Sequence, residues 1–338
     1  MDGNPRPPLE DLPWRIWISP STDPYRNAAL EEVLLGDRGT PHLLLYRNRD
    51  SLHLGKNQYP WAQVRVEEWQ REPLPLLRRS TGGGTVFHDE GNLNFGFVAD
   101  APVGTAFREH LALVQAALAR LGLATEQRPP SDLLVEGAKV SGNAQCCTRG
   151  RLLHHGTLLW RTDPARVQRY LTSTSGGYDS RGIDSRRSPV RNLADRFPAI
   201  TDAEEFLRQL AAAFAEACPR AVPGGALPSA WERTADVRHA GWRDPAWVYG
   251  RSPRTTYHRR VETAAAVLEW RATVQRGKLT EGACWWVREG RRTELSAVAE
   301  ALEGAWHEPE AVRARLAELP LASRERLPLP PDDLRLFF

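Results

Sequence analysis

Residues 78–92 read RRSTGGGTVFHDEGN: two adjacent cations, three consecutive glycines, a β-branched and aromatic run, then a second turn. A strand-like segment, PLLRR, runs into the glycines and another leaves them at Val86 and Phe87, so the loop joins strands. Glycine has no Cβ, so this backbone can approach a ligand closely and turn several N–H groups toward one point, a nest for an anion. Arg78 and Arg79 immediately before it favour phosphate. The same letters fit a glycine-rich hairpin turn with two solvated arginines, although a turn needs only one or two positive-φ positions. Neither a Walker A loop nor a GxGxxG fingerprint is present.

Working outward, strands fill the middle of the chain and helices flank them. Asp23 is an N-cap with Pro24 at the first helical position, opening DPYRNAALEEVLL as a helix. HLLLYRN and SLHLG follow as buried strands. From Thr105 onward, Phe107, Leu111, Val114, Leu118 and Leu121 repeat at helical spacing, and Gly122 marks the stop. DLLVEGAKVSG predicts a hairpin turning at Glu136-Gly137, and LLHHGTLLW a further strand. Asp163-Pro164 and a Thr201/Glu204 capping box start two more helices, the second running to about Cys218.

PRAVPGGALPS then reads as a linker. Beyond it, VLEWRATVQRGKLTEGACWWV alternates apolar and polar residues on both sides of Arg276-Gly277, an antiparallel hairpin. Leu295, Val298, Ala299 and Leu302 line a helix closed by Gly304, and PEAVRARLAEL is another, giving a small module with a modest core of its own. The expected organisation is a disordered tail (1–13), a large domain (14–245), a small α+β module (246–325) and a second tail (326–338), in the α+β class.

The 338 residues, 41% of them apolar, suffice for a large core, and a net charge of +3 gives no broad field for nucleic acid. Four cysteines in so long a chain are not a disulfide framework, which points to a reducing compartment. The N-terminus lacks the apolar core of a signal peptide, and no run has the length of a membrane span, so the expectation is a soluble, cytoplasmic protein.

Of the 45 basic residues only three are lysines: Lys56, Lys139 and Lys278. Arginine serves here wherever either cation would do, so a lysine hints at a task for a compact ammonium. Lys139, in KVSGNAQ, falls on a strand expected next to the glycine loop, where it can meet a carboxylate and a phosphate together and lower their repulsion. The plainer reading is an exposed cation on a hairpin, which is how Lys56 and Lys278 read. His88 and Asp89 suggest acid–base work, but neighbours on a strand face opposite sides, and a hydrogen-bonded histidine beside a turn aspartate is the plainer reading. His154 and His155 alternate faces in the same way, with no Cys or His at zinc spacing. Cys146 and Cys147 read as ordinary thiols. A nest, cations around it and one lysine together suit activation of a carboxylate by a nucleotide.

GKNQYPW, RRSTGGGTVFHDEGNLNF, SDLLVEGAKVSGNAQ and HHGTLLW stand in an order and spacing that resembles the lipoate-protein ligase A family, and WVYGRSPRTTYHRR resembles the start of its C-terminal accessory domain. The resemblance runs from about Trp14 to Leu319. It implies a fold akin to biotin ligases and class II synthetases, a mixed, largely antiparallel sheet flanked by helices, with a small α+β accessory domain. It implies two half-reactions: lipoate and ATP, with magnesium, give lipoyl-AMP, and the acyl group then passes to a lysine of lipoyl domains on 2-oxoacid dehydrogenase E2 subunits or glycine-cleavage H protein. Motif by motif, Lys139 corresponds to the residue contacting lipoate and the α-phosphate, and Arg79, Gly84, Thr85, Val86 and Phe87 to nucleotide-binding positions. Gly82 and Gly83 shape the loop, Asp132 precedes the lysine strand, and His88 and His155 line the pocket region. The small domain is expected to move between the two steps. Metal ligands are not assigned. Gly96 stands where relatives often carry a hydroxyl residue, and Cys146-Cys147 is a departure from the motif. The alternative is an acyltransferase of the same superfamily, a lipoyl amidotransferase or an octanoyltransferase, working without ATP.

Overall fold

The run Leu43, Leu44, Leu45, Tyr46 is apolar at every position because its strand is covered on both faces: Leu43 and Leu45 enter one core cluster, Leu44 and Tyr46 another. The computed structural model describes residues 7–100, 107–172, 176–179, 188–264, 266–327, 329–330 and 333–338. Its strands, in chain order, are β1 (Arg15–Ile18), β2 (His42–Arg47), β3 (Ser51–Leu54), β4 (Leu76–Arg78), β5 (Val86–His88), β6 (Asn92–Asp100), β7 (Glu126–Arg128), β8 (Asp132–Val135), β9 (Ala138–Thr148), β10 (Arg151–Leu159), β11 (Val222–Pro223), β12 (Thr255–Glu262), β13 (Val267–Gln275), β14 (Lys278–Arg288) and β15 (Arg291–Glu294). The helices are α1 (Pro24–Gly36), α2 (Val66–Arg71), α3 (Phe107–Arg120), α4 (Pro164–Tyr170), α5 (Ala203–Ala217), α6 (Ser229–Arg238), α7 (Pro245–Val248), α8 (Ser296–Leu302), α9 (Pro309–Ala317) and α10 (Leu321–Glu325).

The main sheet has the order β11-β1-β2-β6-β10-β9-β8-β7. The β11–β1 and β1–β2 pairs are parallel and the others antiparallel, the mixed, largely antiparallel α+β arrangement expected. Helices α3 and α5 cover one face through Leu111, Val114, Leu118, Phe206, Leu210 and Phe214. Helix α1 covers the other through Ala29, Leu30, Val33 and Leu34, capped at Asp23 as its sequence predicts. Glu136 and Gly137, and likewise Arg276 and Gly277, both adopt positive φ, the turn that a two-residue antiparallel hairpin favours.

Two smaller sheets complete the chain: β4-β3-β5, which carries the glycine loop, and β12-β13-β14-β15. They share one core. Leu52, Leu54, Trp61 and Phe87 pack in the same cluster as Tyr257, Trp270, Leu279 and Phe337. The C-terminal module therefore has a core that runs on into the wall carrying the glycine loop. No helix of the described residues is long and apolar enough to cross a membrane.

The structure departs from the sequence reading at several points. The helix expected at Thr201 is capped by Asp202, whose carboxylate accepts from Glu204 N and Glu205 N; the charged acceptor displaces the threonine one residue earlier. The linker contains β11: Val222 N donates to Trp14 O and Gly224 N to Ile16 O, and Pro223, lacking an N–H, falls between the two donors on the sheet edge. Within the first tail, Leu9 is buried and its carbonyl accepts from Trp14 Nε1 (2.7 Å). At the other end Leu334, Leu336, Phe337 and Phe338 are buried rather than trailing into solvent. The helix start expected at Thr105 lies outside the described residues.

Leu118 has no exposure between α3 and α5. Leu118→Ala is expected to cost about 3 kcal/mol, within the range for leucine truncation in a packed core, read as a lower urea midpoint at unchanged m-value.

Candidate active site

A cavity of about 2110 Å³ opens between α1, the main sheet and the glycine loop. It brings together the residues that the sequence singled out: Arg79, Gly82, Gly83, Gly84, Thr85, Val86, Phe87, His88, Asp132, Lys139 and His155 all line it.

The loop is held from behind. Arg79 Nη2 donates to Gly82 O (3.0 Å) and Gly84 O (2.9 Å), Arg79 Nη1 to His53 O (2.7 Å), and Gln58 Nε2 donates to Gly83 O (3.1 Å). All three glycine carbonyls are thereby drawn to the protein side. Among the described residues nothing accepts from the amide N–H groups of Gly82, Gly83 and Gly84. Gly83 has φ +90°, which only glycine adopts at little cost, and a Cβ at Gly55 would sit 1.8 Å from Gly83 O. Thr85 N donates to Gln63 Oε1 (2.8 Å), while Thr85 Oγ1 is buried with no partner. Val86 is half-buried, and the Phe87 ring stacks on Tyr170 in the core.

Arg78, read with Arg79 as a phosphate cation, is not one. Fully buried, it donates to the carbonyls of Gly55, Lys56, Gln58 and Val248 and to Ser252 Oγ, tying the loop's support to the C-terminal half. Burial lowers both guanidinium pKa values to about 10, opposed for Arg79 by Tyr46 and Glu31, and both arginines stay charged at neutral pH.

Lys139 is placed by a bulge. Leu133 pairs with Ser141 but Leu134 with Lys139, so Val140 is an extra residue on β9 and the side chains on either side are re-aimed. The Lys139 backbone is clamped again on its free edge, donating to Pro189 O and accepting from Arg191 N. Its ammonium lies 2.8 Å from Asp132 Oδ1 and crosses the face of Gly142, where a Cβ would be 2.9 Å from Nζ. Burial would raise the Asp132 pKa, but hydrogen bonds from Arg128 and Lys139 outweigh it and hold the carboxyl below its ordinary value. Lys56 is exposed; Lys278 is exposed too, with its ammonium over the Trp306 ring.

A buried polar chain underlies the loop. Arg79 Nε donates to Thr81 Oγ1 (3.3 Å), Thr81 is 2.8 Å from His155 Nε2, and His155 Nδ1 is 3.1 Å from both Glu31 oxygens. Tyr46 Oη also donates to Glu31, at 3.0 Å. Glu31 accepts from His155 Nδ1, and Nε2 meets the Thr81 hydroxyl. A Cβ at Gly96 would be 2.9 Å from Glu31 Oε1, so this glycine makes room for the carboxylate. Glu31, Gln58 and Gln63 were not singled out from sequence. Glu31 left a signal: with Asn27, Leu30 and Leu34 it falls on the buried face of α1.

The two histidine pairs separate as alternation requires. His154 turns away from the cavity and stacks on His110 (4.7 Å), while His155 faces it. His88 accepts at Nδ1 from Asn48 Nδ2 (3.1 Å), its ring lies 3.9 Å from that of His53, and its Nε2 is buried without a partner. Asp89 faces away, accepting from Asp163 N (2.9 Å), which is the turn-aspartate reading. Cys146 and Cys147 are free thiols, as are Cys218 and Cys284.

Comparison with known proteins gives this geometry a lineage. Residues 23–215 match the family model of the lipoyl protein ligase A/B catalytic domain. Lipoate-protein ligase 1 of Staphylococcus aureus is 31% identical over 307 residues, spanning 89% of this chain and 92% of that protein. Lipoate-protein ligase LplJ of Bacillus subtilis is 31% identical over 301 residues, 83% of this chain and 91% of that one. The chain belongs to the lipoate-protein ligase family. Solved structures share its fold: Plasmodium falciparum LipL1 in complex with lipoate superposes with TM-score 0.59 at 19% identity, covering 95% of this chain and 98% of that one. A lipoate-protein ligase A bound with ATP gives TM-score 0.57 at 23% identity, over 69% and 97%.

Burial holds the imidazoles of His88 and His307 far below the ordinary range, to about 3 in each case. Between pH 6.5 and 3 the unfolded chain binds protons at these sites that the folded chain refuses. Their stabilisation is therefore complete above about pH 6.5 and is lost as the pH falls toward 3. Urea unfolding at pH 7.5 and 5.5 is expected to show the protein weaker at the lower pH, by on the order of 1 kcal/mol per pH unit for each buried imidazole.

Proposed function

We propose that this chain is an ATP-dependent lipoate-protein ligase, activating lipoate as lipoyl-AMP and passing the lipoyl group to a lysine of a lipoyl domain. The observation that carries the reading is the glycine loop with all three carbonyls tied back by Arg79 and Gln58, beside Lys139 in one cavity. Three unpaired amide N–H groups at a cavity wall suit phosphate oxygens. The buried, unpartnered Thr85 Oγ1 and His88 Nε2 supply further polar capacity on the same wall.

In the first step a carboxylate oxygen of lipoate attacks the α-phosphorus and pyrophosphate leaves. Two anions must approach, and Lys139 lowers that repulsion: Asp132 takes one of its three donors, leaving donors for the substrate carboxylate and phosphate. In the second step the acceptor's amine attacks the acyl carbonyl and AMP departs, its phosphate stabilised by the same ammonium and amides. Magnesium enters this reading with the ATP phosphates. Among the described residues no group of three or more His, Cys, Asp or Glu side chains is placed to hold an ion.

In this proposal residues 14–245 are the catalytic domain and 246–325 the accessory domain. The acceptors are E2 lipoyl domains and glycine-cleavage H protein; a solved structure of the same fold is that of a bi-partite lipoate protein ligase from Thermoplasma acidophilum, studied with its E2 lipoyl domain. Four free thiols suit a cytoplasmic setting.

The purified chain with ATP, magnesium and lipoate is expected to release pyrophosphate only when lipoate is present. Lys139→Ala should lower that rate by at least about 10²-fold at an unchanged melting temperature, since the side chain is partly exposed. A folded variant of near-normal rate refutes the role given to Lys139. Lipoyl transfer from a lipoylated protein, without lipoate-dependent pyrophosphate release, marks an amidotransferase instead.

A further inference from the structure

Residues 55–63, GKNQYPWAQ, lie between the glycine loop and the C-terminal half of the molecule and bond to both. On the cavity side Lys56 N donates to Thr81 O, Gln58 Nε2 to Gly83 O, and Gln63 Oε1 accepts from Thr85 N. Both glutamine side chains are buried. The contact at Gly55 leaves no space for a side chain between segment and loop. On the opposite side Tyr59 Oη hydrogen-bonds His307 Nδ1, Trp61 Nε1 donates to His307 O (2.7 Å), and the Trp61 ring meets that of Phe338 edge-on at 5.4 Å.

His307 is fixed in turn by the end of the chain. Its ring stacks on Phe338 at 4.4 Å and its Nε2 is 2.6 Å from Phe337 O, which also accepts from Tyr257 Oη (2.8 Å). Phe337 and Phe338 are buried here, and nothing in the cavity touches them directly: neither lines it.

We propose that residues 55–63 act as one positioning element for the glycine loop, with Gln58 and Gln63 holding the loop and the C-terminal residues, through His307, holding the element. The end of the chain thereby sets the affinity for the nucleotide triphosphate from a distance. If the outer face loosens, Gln58 withdraws from Gly83 O, and a carbonyl released from the protein side can turn toward the cavity and disorient the amides. The inference rests on the reading of the loop as the ATP site.

The test is a double-mutant cycle on the full-length enzyme, following lipoate-dependent pyrophosphate release with ATP and lipoate varied separately. Gln58→Ala and Phe338→Ala are each expected to raise KM for ATP about tenfold, the weight of one buried hydrogen bond, with KM for lipoate within about twofold. Acting through one element, the double variant should be no worse than the weaker single variant. Phe338→Leu, which keeps an apolar plug, should restore KM for ATP. Tyr59→Phe, which removes only the hydroxyl on His307, gives the same readout if Phe338→Ala does not fold. An unchanged KM for ATP in a folded Phe338→Ala or Tyr59→Phe variant overturns the inference. So does a joint rise for ATP and lipoate, or two losses that multiply. Wild-type enzyme without lipoate-dependent pyrophosphate release removes the ATP reading itself and this inference with it; wild-type release with unaffected variants removes only the inference.

Discussion

Arg79 donates from beneath the glycine loop to Gly82 O, Gly84 O and His53 O, and the rest of the cavity is arranged around that buried cation. A guanidinium in a low-dielectric interior is costly unless its donors are satisfied. Carbonyl dipoles supply the satisfaction here, and a negative charge is connected to it through Thr81, His155 and Glu31. The geometry has a second consequence. A peptide plane whose oxygen points at Arg79 carries the next residue's N–H on its other side: opposite Gly82 O the Gly83 amide is left unpaired among the described residues, while opposite Gly84 O the Thr85 amide is taken up by Gln63. In the proposed reaction the arginine acts on a phosphate through the backbone it orients.

Arg78, Arg79 and Lys139 are thus divided by chemistry. Arg78 and Arg79 have planar forks able to hold several carbonyls at once, and both are buried as architecture. Lys139 is a compact ammonium, partly exposed and kept ready by one carboxylate. In a chain with only three lysines, the role proposed for Lys139, meeting changing partners during a reaction, is one where arginine does not suffice. A fork matched to one planar partner is less adaptable than three rotatable donors.

Much of this was legible because the signals are local. The Asp23-Pro24 cap, the Glu136-Gly137 and Arg276-Gly277 turns, the α3 stripe and the glycine loop each depend on residues within a few positions of one another. What the sequence hid are contacts between distant segments. Gln58 and Gln63 look like any polar loop residues until β3, β4 and β5 pair. Arg78 and Arg79 are equivalent as neighbours in sequence, and only opposite strand faces tell them apart. β11 was hidden by its composition, since proline and glycine mark a loop unless the sheet edge happens to skip the proline. The final LRLFF carried a signal of its own, an apolar cluster in a supposed tail.

Three consecutive glycines are the least ordered material the chain could choose, and fixing their backbones costs roughly 1–2 kcal/mol each. The bonds from Arg79, Gln58 and Gln63 return about 1 kcal/mol apiece, somewhat more where the donor is charged. The two sums are close, so the loop is held with little margin. In the proposed reaction that balance has a use: a rigidly overbuilt nest could not relax around different phosphate states, and an untethered one would lose most of its binding energy to ordering. The tethers must then be firm themselves, which accounts for Gln58 and Gln63 being buried on a short segment braced by Arg78 within and by His307 and Phe338 behind.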